Sequence, residues 1–238
     1  MLTQIPDEIV LIFILATLAT LVLFMMAVRN STKEQTRKKA IPIFGCLVIW
    51  LAVQAALTLN NIYNTNLEAL PPKILLFGVL PPLLLVVLLF NTQGGKQFID
   101  SLPLRQVTNI HMVRVPVEVV LFALFLHKTV PELMTFEGRN FDIIAGITAP
   151  LIAYLGFTKN LIPKKVLLFW NVCCLGLLLN IVANGLLSAP TPFQQFAFTE
   201  PNIALLYFPF SWLPTFIVPI VLFSHLVAIR QLLKPKTT

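Results

Sequence analysis

The chain has 238 residues, of which 57% are hydrophobic and only 11% are charged, with a formal net charge of +7. Soluble domains carry about 25% charged residues, so this composition and a mean hydropathy of +0.86 exclude an ordinary water-soluble protein. Cys46, Cys173 and Cys174 show neither CxxC nor metal-ligand spacing. We therefore expect no disulfide, no metal site and no cofactor.

Seven apolar stretches, each long enough to cross a bilayer at about 20 residues, follow one another along the chain. They lie near residues 9–28, 41–60, 73–91, 110–129, 141–158, 166–188 and 202–229. The predicted fold class is all-α, a single polytopic domain of seven transmembrane helices over residues 1–238. The first stretch is interpreted as a span and not as a secretory signal, because acidic MLTQIPDE precedes it and basic RNSTKEQTRKK follows it.

The basic residues predict how these helices are oriented. Segments 29–40, 92–109, 159–165 and 230–238 hold 13 Lys and Arg residues, whereas segments 1–8, 61–73, 128–140 and 189–201 hold 3. Basic loops stay on the cytoplasmic side, so we expect the N-terminus outside and the C-terminus inside the cell (inner) membrane. The expected partner of the positive charge is then the lipid bilayer and not a nucleic acid.

The stretch IHMVRVPVEVVLFALFLH, residues 110–127, places ionisable side chains within a predicted span. Helical spacing brings His111, Arg114 and Glu118 onto one face. A charge at mid-bilayer costs on the order of 3 kcal/mol, and an ion pair between Arg114 and Glu118, one turn apart, would offset part of that cost. Such residues mark solute or ion pathways, or alternatively form a structural pair that fixes helix packing.

Amide side chains occur in two further spans. In the sixth span, helical spacing predicts Cys173, Asn180 and Asn184 on one side and Asn171 on the other. Gln54 belongs to a polar stripe in the second span. Such amides either join helices through hydrogen bonds or line a pocket, and the sequence leaves both interpretations open.

The seventh span contains Pro209, Pro214 and Pro219, which predict a kinked helix with Pro214 near the centre of the bend. Thr215 and His225 fall roughly on one face of it. His225 lies near the inner end, as does His111, so the two imidazoles could meet. Two histidines alone are a poor indication of a metal or haem.

Two further positions carry structural predictions. Asp142 is expected to cap or favour the N-terminus of the fifth helix, where a negative charge interacts well with the helix dipole. NTQGGKQFIDSLP, residues 91–103, has Phe98 and Ile99 among polar residues and predicts a short helix lying in the membrane interface.

Two resemblances follow from particular stretches. LPPLLLVVLLF (80–90) can be laid on LPTFIVPIVLF (213–223), which divides the chain into three, one and three helices. This layout resembles that of the seven-helix sugar exporters, although Pro81-Pro82 and Pro214-Thr215 stand where that class has Pro-Gln; the resemblance implies topology alone. MTFEGRNFDIIAGITAP resembles uncharacterised bacterial inner-membrane proteins and implies no function.

Other classes are tested at single positions. No lysine occurs between residues 166 and 229, which excludes a retinal Schiff base on the last helix, and the motifs of G-protein-coupled receptors and membrane proteases are missing. The leading hypothesis is binding or translocation of a small solute, in one version linked to protons. The alternatives are a structural or accessory subunit and an enzyme with Glu118 and His111 as acid and base. The candidate solute-binding residues are Glu118, Arg114, His111, Asn180, Asn184, Gln54, Thr215 and His225.

Overall fold

The computed structural model of the protein describes residues 5–235. Residues 1–4 and 236–238, which belong to the terminal segments used to predict orientation, lie outside this range. Every regular element in the described range is helical, so the all-α prediction is confirmed.

Ten α-helices follow one another within the described residues. They are α1 (Asp7–Arg29), α2 (Glu34–Lys38), α3 (Ala40–Leu59), α4 (Leu80–Asn91), α5 (Gln93–Ser101), α6 (Leu104–Asn109), α7 (Arg114–Leu126), α8 (Ile143–Ile152), α9 (Lys164–Leu187) and α10 (Val218–Leu233). A 3₁₀ turn, Ile110–Val113, joins α6 to α7. Wider π-helical turns precede α4 (Leu75–Val79), follow α8 (Ala153–Thr158) and precede α10 (Leu213–Ile217).

Five continuous helices are long and apolar enough to cross a membrane: Asp7–Arg29, Ala40–Leu59, Leu104–Leu126, Lys164–Leu187 and Leu213–Leu233. Leu75–Asn91 and α5, bent by 93° at their junction, provide a sixth if the pair is taken as one span. Ile143–Thr158 is apolar but shorter. The protein is therefore of the multi-pass membrane type, whereas seven spans and the orientation of the termini stay predictions.

Two predicted helix boundaries are wrong, and prolines explain both. The fourth apolar helix begins at Leu104, before the predicted residue 110, because Pro103 is a suitable residue just ahead of a helix. The last helix begins at Leu213 and not near residue 202. Pro209 cannot donate a backbone hydrogen bond, and the preceding chain forms a short 3₁₀ turn, Ala204–Leu206.

Burial distinguishes a central helix from peripheral ones. In the most apolar stretch of the helix Leu213–Leu233, 61% of the residues are buried, whereas in that of α3 the share is 17%. The outward residues of α3 are nevertheless apolar, as with Ile41 and Ile49, which are 78% and 64% exposed. An apolar surface of this kind suits contact with lipid. The last helix thus forms the middle of the bundle, where its polar side chains need protein partners.

The helix predicted within residues 91–103 is present as α5, whose position in the membrane interface stays a prediction, and its end is bound to the end of α10. Asp100 accepts hydrogen bonds from Nε and Nη2 of Arg230, at 3.0 and 3.2 Å, and pairs with Lys234. Burial acts to raise the pKa of Asp100, but the hydrogen bonds and charges of Arg230 and Lys234 outweigh it and lower the pKa below its usual value. Gln231 adds two bonds to backbone carbonyls at the end of α5.

Candidate functional site

Arg114 is the centre of a buried polar network. Its side chain is 3% exposed. Nη1 donates to Asp142 Oδ1 at 2.9 Å and to the Cys174 carbonyl at 3.3 Å, and Nη2 lies 2.9 Å from His225 Nε2. The predicted ion pair with Glu118 is therefore wrong, because the carboxylate that meets the guanidinium comes from the start of another helix, α8.

A glycine explains why α7 and α8 come close enough for this ion pair. A Cβ atom at Gly146 would lie 2.8 Å from a methyl carbon of Val115 and 3.2 Å from Cβ of Arg114. Only a residue without a side chain fits between the two helices here. Asp142, at the N-terminus of α8, makes no side-chain capping bond. Asp142 thus lies at the N-terminus of the helix, as predicted, but its side chain pairs with Arg114 and does not cap the helix.

Asn140 links the two carboxylates of the network. Its Oδ1 accepts from the backbone N–H of Asp142 at 3.0 Å, and its Nδ2 donates to Glu118 Oε2 at 2.5 Å and to the Met134 carbonyl at 3.0 Å. The side chain of Asn140 is fully buried. The sequence analysis placed Asn140 in an outer loop and did not include it among the candidate site residues. Its position two residues before Asp142 was the only indication in the sequence that it could join the site.

The hydrogen bonds of His225 define its tautomer. Nε2 faces the Arg114 guanidinium, which is only a donor, so Nε2 must accept and the proton must lie on Nδ1. Nδ1 is 3.1 Å from Asn171 Oδ1, which accepts that proton, and Asn171 Nδ2 donates to the Leu167 carbonyl at 2.9 Å. All the hydrogen bonds from Arg114 to the Leu167 carbonyl therefore agree with a neutral His225 that carries its proton on Nδ1.

His111 and His225 meet, as the sequence suggested. Their rings stack with centroids 3.9 Å apart and an interplanar angle of 21°, and the edge of Trp170 lies against His111. Both ring nitrogens of His111 and Nε of Arg114 are buried without a hydrogen-bond partner among the described residues. No group of three or more His, Cys, Asp or Glu side chains in residues 5–235 could hold a metal ion.

The polar face of α9 differs from the predicted one. Asn171 is completely buried and bonded to His225, whereas Cys173 and Asn180 are exposed. Asn180 donates to a loop carbonyl at 2.8 Å, and Asn184, which is 7% exposed, donates to Asn180 at 3.3 Å. Burial does not follow the predicted grouping, because Asn184 is buried like Asn171, whereas Cys173 and Asn180 are exposed.

A cavity of about 370 Å³ lies beside Glu118. Its walls come from Leu75, Val79 and Leu83, from α7 and α9, and from the start of the last helix. Most of the wall residues are aliphatic. Four polar side chains belong to the wall: Arg114, Glu118, Asp142 and Asn202. The other six candidate residues lie outside the wall: His111, Asn180, Asn184, Gln54, Thr215 and His225.

Gln54 satisfies a carbonyl that a proline leaves free. Pro81 has no N–H to donate to the carbonyl of Phe77, four residues earlier. Gln54 Nε2 donates to that carbonyl at 3.2 Å, and its Oε1 accepts from the Tyr63 hydroxyl at 2.5 Å. Burial raises the pKa of Tyr63 to about 12 despite the hydrogen bond to Gln54, so the hydroxyl keeps its proton at neutral pH. Gln54 therefore has a clear structural role.

The carbonyl of Thr215 is satisfied in the same way. Pro219 cannot bond to it, and Trp50 Nε1 of α3 donates to it at 2.9 Å. Both carbonyls lie in π-helical turns. The structural correspondence between the two proline-interrupted helices therefore pairs Pro81 with Pro219, not with Pro214 as the sequence match suggested. Pro214 lies in the π-helical turn with which the last helix begins, and not at the centre of a bend as the sequence predicted.

A second cavity, about 340 Å³, lies against the same turn. Its lining comes from α1, α3, α4 and α10 and includes Trp50, Thr215 and Phe216. The first cavity touches Leu213, Pro214 and Ile217 of the same turn. The turn Leu213–Ile217 thus contributes to the walls of both cavities.

The fold and the site define a helical multi-pass membrane protein with a buried charged network beside an apolar cavity. The chain belongs to a family described as a domain of unknown function, DUF8737, whose sequence profile matches residues 71–233. This confirms the predicted membership of an uncharacterised family, and the matched region contains the whole Arg114 network. No curated protein and no solved structure matches the chain.

Proposed function

We propose that the protein binds a small solute in the cavity beside Glu118 and translocates it across the membrane. One observation supports this function above others: Arg114, Glu118 and Asp142 lie in the wall of a cavity of about 370 Å³ that is otherwise largely apolar. Small-molecule sites have this size and this mixture of many apolar and few polar groups. Ionisable groups inside membrane helices are expensive to bury and commonly belong to solute or proton pathways.

The proposed topology has seven spans with the N-terminus outside. Five long helices and the bent pair account for six of them. Ile143–Thr158 would be the seventh, since segment 159–165, which holds three Lys residues, follows it and is expected on the inner side, whereas Leu104–Leu126 would end on the outer side. The distribution of 13 inner against 3 outer basic residues supports this orientation. Asp142 would then lie toward the outer side and Arg230 at the inner surface.

An accessory or structural role is the second candidate, and the network itself favours it. Both terminal nitrogens of Arg114 already bond to Asp142, Cys174 and His225 within the protein. A network of this kind could serve only to orient α7, α8, α9 and α10. The two functions differ in one measurable respect, because only the first requires the cavity to take up a ligand.

Occupancy of the cavity can be tested with an uncharged probe, triphenylphosphine oxide, on the purified protein. Val182 lines the cavity and is 39% exposed, so Val182→Trp should fill part of the space without disturbing the core. We expect the probe to raise Tm of the wild type and to bind Val182→Trp about tenfold more weakly. Val172→Trp, on the same helix but outside the cavity wall, is the matched control and should bind as the wild type does.

Equal binding of the probe by Val182→Trp and the wild type would contradict the proposed solute site and favour the accessory role, as would the failure of the wild type to bind either this probe or charged probes of comparable size. Transport is then examined in proteoliposomes loaded with the same probe. Faster efflux with wild type than with Val182→Trp is the expected result.

A further inference from the structure

The charges in the wall of the cavity do not balance. Arg114 and Asp142 neutralise each other through their 2.9 Å ion pair. Glu118 is bound by the amide of Asn140, which carries no charge. His225 accepts a hydrogen bond from Arg114 and is therefore neutral, and His111 stacks on His225 away from the cavity wall. The wall has a net charge of minus one when Glu118 is ionised and zero when Glu118 carries a proton.

The hydrogen-bonding groups of the wall are mostly acceptors. Asn202 is 1% exposed and lines the cavity. Its Nδ2 donates to the Gly185 carbonyl at 3.1 Å, but its Oδ1 has no partner among the described residues. A buried acceptor without a partner is uncommon in proteins, so Asn202 Oδ1 is available to accept a hydrogen bond from a ligand. The terminal nitrogens of Arg114 are already bonded within the protein, which leaves its buried Nε as a donor without a partner among the described residues. A ligand that supplies positive charge or donors matches this wall better than an anion.

The remainder of the cavity limits how polar such a ligand can be. Most of the wall is aliphatic, with Leu121, Leu178, Ile181 and Val221 among its residues. A small, strongly hydrated cation would lose its water shell there without replacement. A cation with a large apolar body loses less hydration and gains from burying apolar surface.

We infer that the solute is a lipophilic cation that exchanges with a proton on Glu118. This inference rests on the proposed solute site. When the cation enters, Glu118 releases its proton to water and the carboxylate compensates the charge of the cation. When the cation leaves, Glu118 takes up a proton. The wall, with its occupant, is neutral in both states, so neither leaves a lone charge inside the membrane.

Tetraphenylphosphonium and tetraphenylborate share one shape and differ in the sign of their charge, and the smaller triphenylphosphine oxide is an uncharged third probe. We expect the purified protein to bind the phosphonium at least about tenfold more tightly than the borate. Binding of the phosphonium should strengthen as the pH rises, because a proton competes for Glu118. Calorimetry in buffers of different ionisation enthalpy should detect release of up to about one proton per phosphonium bound, somewhere between roughly pH 5 and 9.

Glu118→Gln should weaken phosphonium binding about tenfold and remove its pH dependence. Glu137→Gln, which changes an exposed carboxylate in the outer loop, is the matched control and should behave as the wild type. The proton count is measured on the wild type, so it remains decisive even if Glu118→Gln does not fold.

The outcomes separate the inference from the function on which it rests. If the borate or the neutral probe binds as tightly as the phosphonium, the cavity is a solute site but not one for cations. If the phosphonium binds without proton release across the whole pH range, the exchange is wrong. If none of the three probes binds, both the inference and the proposed solute site are wrong.

Discussion

Arg114 and Asp142 are 28 residues apart in the sequence, yet they form an ion pair of 2.9 Å in which both side chains are almost completely buried. This pair joins α7 to the start of α8 and places two charges at the wall of the larger cavity. Asn140 continues the network to Glu118, and His225 continues it to Asn171 on α9. One guanidinium thereby connects four helices and the proposed solute site.

Breaking this ion pair from one side should destabilise the protein strongly. In Asp142→Asn, Arg114 remains buried without a carboxylate, and the expected loss is about 3–5 kcal/mol. The double variant Arg114→Met with Asp142→Asn removes both charges and should recover much of the loss. Thermal or denaturant unfolding in detergent measures the difference. A single variant as stable as the wild type would show that the pair contributes nothing to folding.

The two carbonyls freed by prolines provide a second prediction. Gln54→Leu and Trp50→Phe each leave one buried carbonyl without a donor, at Phe77 and Thr215 respectively. Each should cost about 1–3 kcal/mol of unfolding free energy. Asn60→Ala removes an exposed amide at the end of the same helix and should cost much less. Comparable losses in all three variants would argue against a specific role for the freed carbonyls.

Asp100 predicts a pH-dependent contribution to stability. Its pKa in the folded protein is lower than in the unfolded chain, because the bonds and charges of Arg230 and Lys234 outweigh burial. The contribution is therefore complete above the unfolded value of about 4 and is lost as the pH falls through the lower folded value. Asp100→Asn should cost about 1 kcal/mol at neutral pH, since the pair is partly exposed.

Unfolding of wild type and Asp100→Asn at several pH values measures this contribution. The stability difference should shrink toward zero in acid. A difference that persists unchanged at the lowest pH would mean that Asp100 acts through packing and not through its charge.

The orientation of the chain provides the last prediction. A reporter inserted at residue 35 and another fused to the C-terminus should both lie on the inner side, because segments 29–40 and 230–238 hold 5 and 3 basic residues. Opposite sides for these two positions would exclude a seven-span arrangement. Protection of both positions from an external labelling reagent is an independent measurement of the same point.

Much of the secondary structure followed from local composition. Each apolar stretch that was predicted to be a span contains a helix in the structure. The amphipathic segment of residues 91–103 forms α5. Prolines were a reliable guide to irregular backbone, as at Leu213–Ile217, since a missing N–H has the same effect in any tertiary context. Boundaries were less predictable, because an apolar residue such as Leu205 fits equally well in a spanning helix and in a buried 3₁₀ turn.

By itself, the sequence determined the helical class, the membrane environment and the presence of costly ionisable groups in a spanning helix, because each depends on the composition of a continuous stretch. Only the tertiary structure decided that Arg114 pairs with Asp142 and not with Glu118, and that Asn171, not Asn180, faces the bundle. A helix that is apolar nearly all round, as α9 is, has no hydrophobic face to mark its inner side. The identity of a buried charge's partner depends on which helices pack together, and that information lies in long-range packing, not in local sequence.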